Sequence, residues 1–205
     1  MRRFAWIGVA LLVTGGVAAA AVLSGGEPEP PPSPSPSPSP SPSPTQPPVF
    51  SFVVPDDPSE VGAPLAEAGC GPVQQPELQK PTEVKSGDKH PPYSSTPPTS
   101  GAHYPDGPGG GVFFVPHDPE AVVASMARGD VVVWHTGFSK KMRNDLIGLL
   151  TYFESDFLMA QPGDEMKLDH EMVLTAWGHL QECEEFSGEA VEQFFLNYRG
   201  RGPGL

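Results

Sequence analysis

The sequence predicts an α+β fold: a small mixed β-sheet with about three helices packed on it, preceded by a membrane anchor and a disordered stalk rich in proline and serine. Three observations carry this reading. From residue 118 the hydrophobic pattern runs helix, strand, helix, strand, strand, helix, and such alternation builds a sheet with helices laid against it. The first 26 residues hold one long uncharged run. Twelve prolines fall between Pro28 and Pro48, a composition that cannot build a core.

Met1-Arg2-Arg3 is a short basic start, and Phe4 to Leu23 follows without a charge. That run is about as long as a helix needs to cross a bilayer. Basic residues at its front keep the N-terminus cytoplasmic and send the rest outward. Residues 1–26 are therefore expected to be a single-pass anchor, with the membrane as a partner through this helix. A signal peptide cleaved after the small residues near Ala18-Ala19-Ala20 is the rival, and it makes the protein secreted. Residues 27–69 read as linker. The Ser-Pro repeat from Ser33 to Pro44 favours extended polyproline II. Val49 to Val54 is a short apolar run with the composition of a lone strand.

Residues 70–205 are expected to form one extracytoplasmic domain. Thr96 to Pro105 holds three prolines, which fix φ and remove backbone donors, so it is a stiff loop rather than a helix. Its residues Pro97, Pro98, Thr99, Ser100, Gly101, His103 and Tyr104 are read as a structural loop. Asp106 to Gly111 is a turn cluster that lacks the Lys-Ser/Thr of a phosphate loop, and Val112 to Val115 is a short strand. Asp118-Pro119-Glu120 starts a helix and Gly129 stops it. Asp130 to Thr136 is a buried strand. Ser139 caps a helix to about Glu154, with Lys140, Lys141 and Arg143 in its first turn as a solvated basic end or a docking patch. Phe157 to Ala160 and Met172 to Trp177 are strands, and Ser187 caps a last helix that ends at Gly200.

The net charge is −13, and beyond residue 26 the chain carries 25 acids against 10 bases. So acidic a chain excludes nucleic acid as a partner, because phosphate backbones need Lys and Arg patches. Cys70 and Cys183 are the only cysteines. Export puts them where a lone pair forms a disulfide; two buried free thiols are the alternative. Their spacing is not that of a CxxC redox pair. The six histidines form no HExxH or other tight metal signature. His103, in the stiff loop, and His135, at the end of a strand after Trp134, are the candidate ligands for a transition metal such as copper or zinc. Ser100 lies three residues before His103, but no G-x-S-x-G elbow or positioned acid accompanies it. No catalytic constellation is present, so the protein is not expected to be an enzyme, and no cofactor is implied.

Four stretches carry a family resemblance. Pro97-Pro98-Thr99-Ser100-Gly101-Ala102-His103-Tyr104-Pro105 resembles the N-P-P-T-S-G-P-H signature of the bacterial family called domain of unknown function 3105. Val131-Val132-Val133-Trp134 resembles its central strand, Leu174-Thr175-Ala176-Trp177-Gly178 its L-T-A-W-G, and Arg199-Gly200-Arg201-Gly202-Pro203 its closing R-G-P. The resemblance covers roughly residues 70–203. It implies an exported protein, often with an N-terminal anchor, and assigns no activity. One stretch departs from it: where the family shows H-N-L-E-H-G, this chain has Ala124-Ser125-Met126-Ala127-Arg128-Gly129. The expectation is a binding or structural role at the bacterial cell envelope, with copper or zinc binding as the alternative.

Overall fold

The computed structural model describes residues 52–137 and 139–204. The expected anchor, and the stalk as far as Ser51, lie outside the described residues. Among those described, no helix is long and apolar enough to cross a membrane.

In chain order the elements are β1 (Thr82–Glu83), β2 (Ala102–His103), β3 (Gly111–Val112), α1 (Pro119–Arg128), β4 (Val131–His135), α2 (Lys140–Phe153), β5 (Leu158–Pro162), β6 (Met172–Ala176), β7 (His179–Cys183) and α3 (Gly188–Tyr198). The expected α+β architecture is present as three helices, a five-stranded mixed sheet and a small second sheet. The main sheet has the order β3-β5-β4-β6-β7, and β1 pairs with β2 separately. Strands β3, β5 and β4 run parallel, while β6 is antiparallel to β4 and to β7.

The sheet is covered on both faces, which explains why all five residues of β4 are buried. Val131 and Val133 point to one face, where Met142, Leu146 and Leu149 of α2 and Val191, Phe194 and Phe195 of α3 pack. Val132 and Trp134 point to the other, against Val122, Val123 and Met126 of α1. Each such buried side chain contributes roughly 1.5–3 kcal/mol.

Ser139 and Ser187 cap as expected, accepting from Met142 N at 3.0 Å and Ala190 N at 3.3 Å. Asp118 does not cap α1; its carboxylate accepts from Tyr104 Oη at 3.1 Å instead. Gly129 ends α1 in the left-handed region.

Three local expectations change. Val49 to Val54 is not a strand over its described part: residues 52–54 are irregular, and the Val53 carbonyl lies where a Cβ on Gly148 of α2 would stand. Packing also begins before Cys70. Pro58, Val61 and Ala68 are buried, Ala63 N donates to Phe186 O, and Gly188 N donates to Val61 O. The polar, proline-punctuated sequence hid this, because so few side chains anchor the segment. Finally, β7 was not foreseen. It carries few apolar residues, and its outer side meets a strap, not a full strand: Gly71 N donates to Glu182 O and Gln74 N to Leu180 O. The disulfide between Cys70 and Cys183 fastens that strap to the end of β7.

Candidate functional site

The stiff loop is buried from Pro97 to Ala102, and it lies on the α1 side of the sheet. Its polar groups turn inward. Thr99 and Ser100 are 1% and 0% exposed. Thr99 O accepts from Gly178 N at 2.9 Å, and Ser100 Oγ accepts from Gln79 N at 3.0 Å. Gly101 has φ 119°, and a Cβ there would press on the Gln79 side chain, so glycine is required. Ala102 O accepts from Tyr93 Oη at 2.8 Å.

The loop then passes the first turn of α1. His103 is half-buried; its Nδ1 lies 3.0 Å from Gly101 O, and its ring stands edge-on to Trp177 with centroids 6.4 Å apart. Tyr104 N donates to Glu120 O at 3.1 Å. Beside it, His90 Nε2 lies 2.8 Å from Glu120 Oε1 and its Nδ1 2.8 Å from Pro91 O. The bond to Glu120, then that to Pro91, raises the His90 pKa above the usual imidazole value. Burial, with the charge of Glu120 adding to it, pushes the Tyr93 phenol up as well, so that it stays protonated as a donor. An open cleft of about 400 Å³ adjoins these residues, lined by Gln79, Lys80, Thr82, His90, Gly101 and Ala102.

The two candidate metal ligands sit on different elements. His103 is in the small sheet, whereas His135 ends β4 with its side chain on the α2–α3 face. Burial lowers the His135 pKa, with Asp164 acting the other way. Among the described residues, no three His, Cys, Asp or Glu side chains gather to hold a metal ion.

The altered motif lies toward the far end of α1. Ala124 and Ala127 are buried. Arg128 sits beside Asp130, with Nη2 to Oδ2 at 3.4 Å, and donates to Gly107 O at 3.3 Å. Ala127 O and Gly129 O accept from Gly204 N and Gly200 N, so the closing Arg-Gly-Pro stretch packs here. Residues 127–128 are about 12 Å along the helix from Glu120, the turn that meets Tyr104, at 1.5 Å per residue.

Sequence reasoning missed His90, Glu120 and Tyr93. Thirty residues separate His90 from Glu120, and no local spacing announces the pair. The proline loop that carries Ala102 to Tyr93 was legible; the partner it meets was not.

No curated protein and no solved structure matches the chain. A family model described as protein of unknown function (DUF3105) matches residues 85–204. That span takes in all four motif stretches and the altered one, and the chain belongs to the DUF3105 family.

Proposed function

We propose that this protein is an envelope binding or structural module, anchored by its N-terminal run and held outside the cytoplasm on its stalk, and not an enzyme. The observation that supports a non-catalytic role is the inward use of the signature loop. Thr99 and Ser100 spend their polar groups on Gly178 and Gln79, and the Ser100 hydroxyl is fully buried. The Cys70–Cys183 disulfide supports an oxidising compartment. A ligand would seat in the cleft beside the loop, where the Lys80 ammonium offers donors above the apolar floor of Ala102.

Protease added to spheroplasts tests the location: the domain is digested while a cytoplasmic marker survives. Protection of the domain would end this reading. The rival, copper or zinc binding, is tested by elemental analysis of the chain purified without a histidine tag. Stoichiometric metal in that preparation would replace the proposal.

A further inference from the structure

Residues 85–91 leave the domain as a short flap with both ends fixed. Val84 N donates to His103 O at 2.8 Å on one side, and Gln79 Nε2 donates to Pro92 O at 2.8 Å on the other. Between these ends every residue is exposed except His90. The turn of the flap is closed from within, by Asp88 N to Lys85 O at 2.9 Å and Lys85 N to Asp88 Oδ2 at 2.8 Å. A Cβ built on Gly87 would meet nothing within 4 Å, so the tip stands clear of the domain. Among the described residues, the flap is fastened to the body by the exposed Ser86, which bonds the Tyr104 side chain, and by His90, which meets Glu120 of α1.

The His90 side chain is 16% exposed and that of Glu120 21%, so this fastening is shielded from water. Both partners of the ring, Glu120 Oε1 and Pro91 O, are acceptors at 2.8 Å. The ring therefore holds both bonds only as the doubly protonated cation. Loss of one proton breaks one bond and removes the charge that Glu120 faces. The charged and titratable groups around His90 are these. Tyr93 lies beside it, with ring centroids 5.0 Å apart. Tyr104 N donates to Glu120 O, and its phenol meets Asp118. Glu77 and Lys80 line the cleft with His90. Lys85, Asp88 and Lys89 are on the flap itself. His103 turns its ring to Trp177 instead.

We propose that residues 85–91 are a pH-sensitive lid at the mouth of the cleft, held on α1 by His90 and released when that ring gives up a proton. His90 and Pro91 both line the cleft, so release moves one of its walls. The bond to Glu120, then that to Pro91, raises the His90 pKa, so the lid is shut in acid and loosens as pH rises past the usual imidazole range. What the lid does for a ligand rests on the cleft being the binding site; the lid itself does not.

The test is tryptic cleavage after Lys89 in the full chain in detergent solution, followed by mass spectrometry. The rate is divided by that of a free peptide of the same sequence, which removes the pH response of trypsin itself. Slow, limited cleavage then reads the population of the open lid. In wild type this ratio is expected to rise by about threefold or more between about pH 6 and about pH 8.5. His90→Gln keeps a donor but does not titrate, and its ratio should stay level. Glu120→Gln keeps an acceptor without the charge, and should move the midpoint of the rise to lower pH. Circular dichroism establishes that each variant folds. A smaller rise in wild type overturns the proposal, and so does a rise that survives in His90→Gln. An unmoved midpoint in Glu120→Gln overturns the pairing as the latch. Because no ligand enters the measurement, each of these results leaves the reading of the cleft as a binding site standing.

Discussion

The backbone N–H of Gly178 donates to the carbonyl of Thr99 at 2.9 Å. This bond joins two of the family's motif stretches, the proline loop and the Leu-Thr-Ala-Trp-Gly turn. Gly178 sits between β6 and β7 with φ 73°, and a Cβ there would lie 2.8 Å from Leu78 Cδ2. Gly178→Ala is therefore expected to destabilise the fold by about 1–3 kcal/mol, from strained backbone and the crowded Leu78. Urea unfolding checks it, and a midpoint equal to wild type would contradict the requirement for glycine.

The threonine of the same motif, in β6, has a single buried task. Trp134 Nε1 donates to Thr175 Oγ1 at 2.8 Å, and both residues are 0% exposed. Thr175→Val keeps the shape and removes the acceptor. It should cost about 1–3 kcal/mol, the usual penalty for a stranded buried donor. Trp134 fluorescence should report the change at the indole. Unaltered stability would mean the indole finds another acceptor.

His103→Ala should cost less, roughly 0.5–1.5 kcal/mol. The carbonyl it leaves, Gly101 O, also accepts from Thr82 N at 3.3 Å, so it is not stranded. Zinc or copper should shift the melting temperature of wild type little. A micromolar metal-dependent shift that vanishes in the variant would assign His103 to a ligand set.

Asp130 gives a pH signature. Burial pushes its carboxyl up to about 6 in the fold, although Arg128 pulls it down. The folded protein then holds that proton more tightly than the unfolded chain. The resulting stability is present below pH 4 and is lost as pH rises through 6, by roughly 3 kcal/mol for a shift of this size. Between pH 4 and 7 the unfolding free energy of Asp130→Asn should therefore gain on wild type by about that amount. His90, with its raised pKa, contributes stability that is lost as pH rises above its ordinary range, and His135, with its lowered pKa, contributes stability that is lost as pH falls. Both are common to the two proteins and cancel in the difference. A difference that stays flat across this range would sink the assignment.

Reducing the Cys70–Cys183 bond opens a closed loop with a sequence separation of 113. The chain-entropy account puts the loss at about 5 kcal/mol. Unreduced protein isolated from cells should resist alkylation at both cysteines, and reduced protein should unfold at markedly lower urea. Two labelled thiols before reduction would refute the bond in the cell.

The helices and inner strands were legible because their signals are local. Ser139 and Ser187 announce caps, Gly129 announces a stop, and the β-branched run from Val131 to Trp134 is short enough for a covered strand. The strap at residues 68–74 and strand β7 were not, because each is defined by backbone bonds to the other and neither has an apolar pattern of its own. The same holds at the candidate site. Proline and glycine made the loop visible, whereas the His90–Glu120 pair depends on how the chain returns to α1. The altered motif at residues 124–129 was visible as a departure, but its place beside the closing Arg-Gly-Pro stretch came only with the fold.

The disulfide also sets a path for mechanical load. Tension applied between the two ends of the chain reaches Cys70, crosses the sulfur bridge to Cys183 and leaves through α3. The intervening covalent loop, with the proline loop, the cleft and β1 to β6, lies off that path. A pull from the N-terminal side therefore strains residues 58–69 and helix α3 first, and leaves the cleft in its resting shape.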